Sequence, residues 1–513
     1  MGGTSHWTNS GAGRRVARCG VGRRQFLRTG VVVGLTATAL APWRWSRARA
    51  AESRSTPEMR RGAKDLVVQP VLMYSLPRRV PARSWRPWTG LQTEEAVQKE
   101  AERIGKDLTR LAEKADFGLR LLPLARVPGT EQAAALKETQ ADVIIVYAAG
   151  GGTATLNTLA GLGKGMIIFL RHHSGPYYLW HEIVHARFLR GHTDQVAQPA
   201  LSLDDVVVDD HAEILWRLQA LFGLKNTLGR RIICVGGPGG WACPEAPERA
   251  RERFGLDMVT VPVPELTAMI EAARRDADRM AGYRQQAEAY LAADNVTLKT
   301  TKAAVAEAFL LKDLYRQLMK KSGAFAITNR GCMASYAAIM PCLTLTLIND
   351  DGYMAYCEGD FVVIPAHILT HFIAGKPTYF CNPTYPHHGR MMFAHCTAPR
   401  RMDGRNLEPV EVVTHYESDH GAATHVLFPR GQQLTIIKPD FEAKNWLAMT
   451  GTIVGTPFMD TCRAQVEVEL DADVEDVLRS MRGFHCILVY GDYTREVAYA
   501  ADKVGIDVEV LPA

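Results

Sequence analysis

Acidic residues and a histidine lie at the ends of predicted strands in two stretches of the C-terminal half. The first stretch is a predicted strand over residues 342–350, a turn at Asp351-Gly352, and the segment Ala355-Tyr356-Cys357-Glu358-Gly359-Asp360. The second is Gly483-Phe484-His485-Cys486, followed by Tyr490-Gly491-Asp492. Carboxylates and imidazoles bind divalent cations and carry protons in enzymes. These residues are therefore the first candidates for a catalytic site.

The order of these segments resembles the L-fucose isomerase and L-arabinose isomerase superfamily of aldose–ketose isomerases. Glu358-Gly359-Asp360, the predicted helix Ile364–Ala374, and Gly375-Lys376-Pro377 with the strand that runs to Asn382 resemble the family's metal-ligand segment. Phe484–Asp492 is similar to the family's closing segment, whose histidine completes the metal site. The resemblance covers the chain from about Pro341 to its end, and elsewhere it rests on architecture.

The resemblance implies a divalent cation, Mn²⁺ or Mg²⁺, held by Glu358, His485 and the residue at position 382. It implies a proton transfer between adjacent sugar carbons through an enediol, with Glu358 as ligand and acid/base together. Asn382 stands where the family has an aspartate, and an amide oxygen supplies neither charge nor a proton. Either Asp360 takes over part of this catalytic role, or isomerisation is impaired and the protein is a sugar-binding homologue.

Other polar residues near this segment could contact a sugar. His387, His388 and Arg390 follow Asn382 in a predicted loop, and His395 lies in the next β segment. Sugar hydroxyls require such converging polar groups, so these four residues are the predicted substrate-binding set. Four tryptophans could stack on a sugar, although core packing is the default expectation: Trp88, Trp180, Trp241 and Trp446.

A cysteine adjoins each proposed ligand position: Cys357, Cys381 and Cys486. A thiolate zinc site is one interpretation. Neighbouring side chains of an extended strand point to opposite faces, however, so these cysteines are expected to face the core as small buried thiols.

His181-Glu182-Ile183-Val184-His185 matches the zinc-protease signature, in which two histidines four apart share one helix face. The extended form of the motif fails, because Phe188 replaces its glycine and His192 comes one position late. A distant ligand such as Glu213 would be needed. A zinc protease is therefore the less favoured alternative.

The elements that position these residues alternate between apolar strands and amphipathic helices. Strands are predicted at 66–74, 141–147, 165–170, 231–235 and 258–262, helices at 94–115 and about 205–225, and two long helices up to about residue 321. Glycine turns at 150–152 and 236–240 fit neither dinucleotide nor Walker spacing, and we interpret them as tight turns of a non-catalytic sheet. From about residue 390, short strands at 410–415, 423–428 and 433–438 are typical of an antiparallel barrel.

The predicted fold class is α/β, with two Rossmann-like parallel-sheet domains followed by a β-barrel-like C-terminal domain closed by a βα unit. The expected domains are a linker at 51–65, an N-terminal α/β domain at 66–228, a second α/β domain at 229–384 and the C-terminal domain at 385–513. The family resemblance also implies a homo-oligomer, a trimer or hexamer.

The first fifty residues are predicted to be a twin-arginine signal peptide. Arg23-Arg24-Gln25-Phe26-Leu27-Arg28 is its core, and Ala48-Arg49-Ala50 fits a cleavage site. The apolar run between them is shorter than the ~20 residues of a membrane span. We therefore expect export to the periplasm or beyond, without stable membrane insertion.

Nine of the 60 basic residues lie in this leader, which has no acidic residue, so 51 basic residues face 55 acidic ones in the rest. The basic balance of the whole chain is therefore no argument for nucleic acid as a partner. The ten cysteines are scattered and are interpreted mostly as buried thiols.

Overall fold

The structure is a computed structural model that describes residues 57–178, 184, 188–189, 201–331 and 336–513. The predicted leader lies outside these residues, as do His181, Glu182 and His185 of the zinc-protease motif. The described chain is α/β, with two parallel sheets and a closed six-stranded antiparallel β-barrel. In this part of the chain no helix has both the length and the apolar character that crossing a bilayer demands.

The first sheet is parallel and has six strands: β1 (Leu66–Met73), β2 (Leu119–Leu121), β3 (Ala125–Val127), β4 (Val143–Ala148), β5 (Gly165–Leu170) and β6 (Val206–Val208). Their order is β2-β1-β4-β5-β6, with β3 also beside β1. The helices of this region are α1 (Glu94–Lys114), α2 (Thr130–Ala135), α3 (Thr153–Ala160) and α4 (His211–Thr227). Every residue of β1 is buried, as is typical of a parallel strand covered on both faces.

The second region contains four parallel strands in the order β11-β10-β7-β8: β7 (Arg231–Val235), β8 (Asp257–Val261), β10 (Ala326–Asn329) and β11 (Met354–Tyr356). The short strand β9 (Val296–Leu298) belongs to another sheet. The helices are α5 (Ala246–Phe254), α6 (Val263–Arg275), α7 (Ala277–Leu291), α8 (Lys302–Ser322), α9 (Cys342–Asp350) and α10 (Ile364–Ala374).

Two expectations for this region are wrong. Three helices, not two, lie between β8 and residue 322: α6, α7 and α8. The stretch 342–350 is the helix α9 rather than a strand, and all nine of its residues are buried. An apolar run that is buried on every side shows no amphipathic period, so its sequence fits a core helix as well as a core strand.

The C-terminal region contains β12 (Tyr379–Pro383), β13 (Arg390–His395), β14 (Val410–Val413), β15 (Ala423–Val426), β16 (Gln433–Pro439), β17 (Asn445–Gly455), β18 (Ala464–Leu470), α11 (Val474–Ser480), β19 (Cys486–Tyr490), α12 (Thr494–Asp502) and β20 (Asp507–Val510). The barrel closes in the order β16-β19-β12-β13-β18-β17 and back to β16, antiparallel throughout. Strand β20 extends it as a parallel neighbour of β17.

Strands β14 and β15 are not part of the barrel, although the sequence suggested it. They pair with each other, and β14 also pairs in parallel with β9. The three strands form a separate sheet in the order β15-β14-β9. Strand β12 lies before the predicted boundary at residue 384 but pairs with the barrel strands β13 and β19. The three-domain division itself stays a prediction.

The predicted linker is packed onto the protein from residue 57 onward. Pro57–Arg60 forms a short 3₁₀ helix, and the Arg60 side chain is buried. Its Nε donates to Phe372 O at 3.1 Å and its Nη2 to Ile373 O at 3.0 Å, at the carboxyl end of α10. These bonds give the arginine partners on α10, so this half of the segment is not a free linker.

Candidate metal centre

Glu358 lies in a tight turn that follows β11 and faces the second glycine loop. The backbone N–H of Gly239 donates to Gly359 O at 3.0 Å, and that of Phe361 donates to Gly239 O at 2.9 Å. The Thr328 hydroxyl accepts from Gly359 N–H at 3.1 Å. The glycine loop at 236–240, interpreted from sequence as a turn of a non-catalytic sheet, therefore holds the segment that carries the central carboxylate of the site.

The backbone of Glu358 has φ 66°, a left-handed conformation that costs a non-glycine residue about 1–2 kcal/mol. Such conformations persist where the surrounding structure enforces them, and they cluster at functional sites. The hydrogen bonds around Gly359 provide that restraint here. As a consequence, residues 357–360 do not follow the alternation of an extended strand.

The Glu358 carboxylate lies between two buried histidines. Its Oε1 is 3.4 Å from Nε2 of His395, at the end of β13, and its Oε2 is 3.2 Å from Nε2 of His485, just before β19. The glutamate side chain is 14% exposed, while the two histidine side chains are 1% and 0% exposed. The fold thus brings together Glu358 and His485, as the sequence predicted, and adds His395 as a neighbour of the carboxylate.

Asp360 fixes the orientation of the His485 ring from the side opposite Glu358. Its Oδ2 is 2.6 Å from Nδ1 of His485, and its Oδ1 accepts from the backbone N–H groups of Val362 and Trp241 at 3.0 and 3.4 Å. An ionised carboxylate only accepts hydrogen bonds, so Nδ1 donates and Nε2 is the nitrogen that faces Glu358. Nε2 is buried and makes no hydrogen bond of suitable geometry within the described chain.

The predicted catalytic role of Asp360 does not fit this placement. The residue is 1% exposed, and both of its oxygens are engaged. A buried, fully bonded carboxylate cannot contact a substrate, so Asp360 is a positioning residue for His485.

The electrostatics of the pair favour opposite charges in the absence of a cation. Burial alone would raise the pKa of Glu358, but its interactions with His395 and His485 hold this pKa well below its usual range. Burial would lower the pKa of His485, but its interactions with Asp360 and Glu358 raise it. The negative carboxylate therefore stabilises positive charge at Nε2 of His485, and a divalent cation bound there would supply that charge in place of a proton.

Asn382 lies beside this group without joining it. Cys381 pairs with Cys486 across β12 and β19, so the next residues along, Asn382 and His485, face each other at the end of the pairing. Asn382 is half-buried, and none of the hydrogen bonds found in the described residues involves its side chain. The residue predicted as third ligand thus lies on β12 at the end of its pairing with β19, and its role as a ligand stays a prediction.

The structure does not bring the predicted substrate-binding residues together. His387, His388 and Arg390 occupy the exposed hairpin turn between β12 and β13, where His387 and Arg390 exchange backbone hydrogen bonds. Since a strand rises ~3.4 Å per residue, this turn is about 17 Å along β13 from His395. Only His395 of the four is at the site.

Aromatic rings flank the two histidines. The Phe380 ring lies 4.4 Å from that of His485 and 4.9 Å from that of His395, measured between centroids. Trp241, expected in the core, is instead 59% exposed and stacks on Phe484 at 3.8 Å with an interplanar angle of 4°. Its backbone N–H also donates to Asp360, so the exposed Trp241 and the half-buried Phe484 adjoin the site.

All three cysteines beside the ligand positions are buried in the apolar core, as expected: Cys357, Cys381 and Cys486. The thiol of Cys357, however, lies within 4.8 Å of an oxygen of Glu358 and a ring nitrogen of His395. Burial in the core does not separate this thiol from the site, because Glu358 is in a left-handed turn and not in an extended strand.

Sequence reasoning missed the role of the second glycine loop and the contact of His395 with Glu358. The position of the glycine loop could have indicated this role, because a glycine turn after a parallel strand lies at the sheet edge where ligands bind. Glu213, the suggested distant ligand of the protease motif, instead accepts from Trp216 Nε1 at 2.7 Å and Arg217 Nη1 at 3.0 Å.

Neither a protein-family model nor a curated protein matches this chain. The likeness to the fucose isomerases therefore rests on the quoted residues, and membership of that superfamily stays a prediction.

Proposed function

We propose that this protein is an exported, metal-dependent aldose–ketose isomerase-like enzyme whose divalent cation is held by Glu358 and His485. The observation that carries the proposal is the pair of acceptors that face each other, Glu358 Oε2 and His485 Nε2, at 3.2 Å. The opposite ring nitrogen is fixed by a buried carboxylate, the arrangement that orients most metal-bound histidines. The carboxylate oxygen of the pair suits a hard cation such as Mn²⁺ or Mg²⁺.

The residues of the site have separate roles in the proposed reaction. When bound, the cation supplies charge stabilisation to two adjacent substrate oxygens. Glu358 is the partly exposed carboxylate of the group, so it is the residue placed to carry a proton between neighbouring carbons. Asp360 and Phe380 hold the His485 ring in place and exclude water from its buried side.

The exposed Trp241, stacked on Phe484, supports a sugar as the substrate class. An indole face presented to solvent beside polar ligands suits the apolar face of a sugar, whose hydroxyls would meet the charged groups. The remaining expectations belong to the same proposal: two Rossmann-like domains, a closing βα unit, and export as a folded trimer or hexamer.

A catalytically impaired sugar-binding homologue is the second candidate. One observation favours it: Asn382 supplies no charge, and Asp360 is buried and fully bonded. Of the three predicted catalytic or ligand positions 358, 360 and 382, this leaves Glu358 alone as a carboxylate that could move a proton. Such a protein would bind a sugar without converting it.

Elemental analysis and turnover of an aldose panel with added Mn²⁺ separate these cases. We expect about one divalent metal per wild-type chain and its loss in Glu358→Ala. Asn382→Asp restores a charged ligand next to His485 and is expected to tighten Mn²⁺ binding and raise turnover. His387→Asp in the distant hairpin is the matched control and is expected to change neither. Metal-bound protein that binds sugars without turnover favours the second candidate, and wild-type protein without divalent metal refutes the ligand assignment.

A further inference from the structure

A second set of ligands shares the Glu358 carboxylate. A Glu358 oxygen, the Sγ of Cys357 and a ring nitrogen of His395 all lie within 4.8 Å of one another. Cys357 and His395 are buried, and the carboxylate is the partly exposed member. We infer that these three side chains form a thiolate-containing binding site for a borderline-soft divalent cation such as Zn²⁺.

The distances are close to those that coordinated ligands adopt. With zinc bonds of ~2.0–2.3 Å, ligand atoms around a tetrahedral ion are roughly 3.4–3.6 Å apart. Nε2 of His395 and Oε1 of Glu358 are already 3.4 Å apart. The sulfur completes the set after a closing movement on the order of 1 Å, and three protein ligands leave a fourth position open.

Neighbouring groups support two of the three ligands, His395 and Cys357. Nδ1 of His395 is 3.1 Å from the Thr397 hydroxyl, which leaves Nε2 directed at Glu358. The Asn329 amide donates to Cys357 Sγ at 3.8 Å, a contact that stabilises negative charge on sulfur. Such outer contacts orient the ligands and tune a metal site.

Sulfur in the ligand set changes which metal the protein selects. Thiolates favour Zn²⁺ and the similar Co²⁺ over Mg²⁺ and Mn²⁺, which prefer oxygen. The thiolate site and the Glu358–His485 pair compete for one carboxylate. The inference depends on the proposed function only because both sites use Glu358. Zn²⁺ bound at the thiolate site would occupy Glu358, prevent its proton transfer and so inhibit the Mn²⁺-loaded enzyme.

Cobalt provides a test that does not depend on sugar turnover. One equivalent of Co²⁺ added to the metal-free full-length protein is expected to produce a thiolate-to-cobalt charge-transfer absorption in the near ultraviolet. Cys357→Ser should abolish this absorption, whereas Cys381→Ser, the same change at a buried cysteine of β12, should leave it intact. Cobalt binding without the absorption in wild type, or its persistence in Cys357→Ser, overturns the inference.

A wild-type measurement covers the case in which Cys357→Ser fails to fold. X-ray absorption of the Zn²⁺-loaded protein is expected to contain one sulfur scatterer at about 2.3 Å. A shell of nitrogen and oxygen alone refutes the thiolate site. If sulfur is present and no aldose is converted with Mn²⁺, the thiolate site stands and the isomerase proposal fails.

Discussion

Asp360→Asn should weaken metal binding although Asp360 is not a proposed ligand. The aspartate accepts on both oxygens: Oδ1 from the backbone N–H groups of Val362 and Trp241, and Oδ2 from Nδ1 of His485. Asparagine has one accepting oxygen and one donating NH₂ group. If its oxygen faces the backbone, the NH₂ group meets Nδ1 and drives the His485 proton to Nε2, which then cannot coordinate. If its oxygen faces His485, the NH₂ group opposes two backbone donors.

Either orientation loses one buried interaction behind the ligand. Loss of an outer partner of a metal-bound histidine typically costs about 10–100-fold in affinity, or roughly 1.4–2.7 kcal/mol. We expect a Kd increase in that range by calorimetric titration of Mn²⁺ into full-length protein. Asp350→Asn is the matched control, since the buried Asp350 accepts two backbone N–H groups, from Arg400 and Arg401, at 2.8 and 2.9 Å. A folded Asp360→Asn protein with the wild-type Kd would refute the positioning role.

Three further outcomes follow from other parts of the chain. Arg171→Met leaves two carboxylates without their buried partner and should lower the free energy of unfolding by about 3–5 kcal/mol. Arg110 is 70% exposed and also pairs with Asp107, so Arg110→Met should lower the free energy of unfolding by less than about 1 kcal/mol. Equal shifts of the guanidinium unfolding midpoint in the two variants would contradict this reasoning. Burial raises the pKa of Asp350 to about 6, against opposing backbone hydrogen bonds. The folded state then binds more protons than the unfolded state between pH ~4 and ~6, so stability should fall by about 3 kcal/mol as pH rises through that window, and Asp350→Asn should remove the dependence. Trp241→Ala should weaken sugar affinity on the order of tenfold and leave metal content unchanged, and unaltered affinity would argue against stacking.

The sequence predicts the regular elements of this protein better than the contacts between them. The strand Arg231–Val235 and the helix Ile364–Ala374 have the predicted bounds, because periodicity and flanking turn residues define them. The helix α9 was not recognisable, since a helix buried on all sides has no polar face to give it a period.

The candidate site could be predicted only in part, for a geometric reason. Glu358 and His485 were expected together because both lie at strand ends in segments that resemble one family. His395 and Cys357 approach the Glu358 carboxylate only because the backbone of Glu358 is left-handed. Hydrogen bonds from the glycine loop at 236–240, more than a hundred residues earlier, stabilise this backbone. A sequence pattern that assumes extended alternation cannot anticipate a turn imposed from so far away.

The pairing of β9 with β14 determines which fragments of the chain can fold separately. Strand β9 lies between two helices of the second region, yet its only partner among the described strands is β14, in register from Val296 opposite Val410. A fragment that ends near residue 384 would expose β9 as an unpaired edge, and the complementary fragment would expose β14 as well as the barrel strands that lost β12. Limited proteolysis should therefore release no stable barrel fragment, and expression of single regions should yield insoluble material. For crystallography or engineering, the smallest useful piece is the chain from about residue 57 to its end.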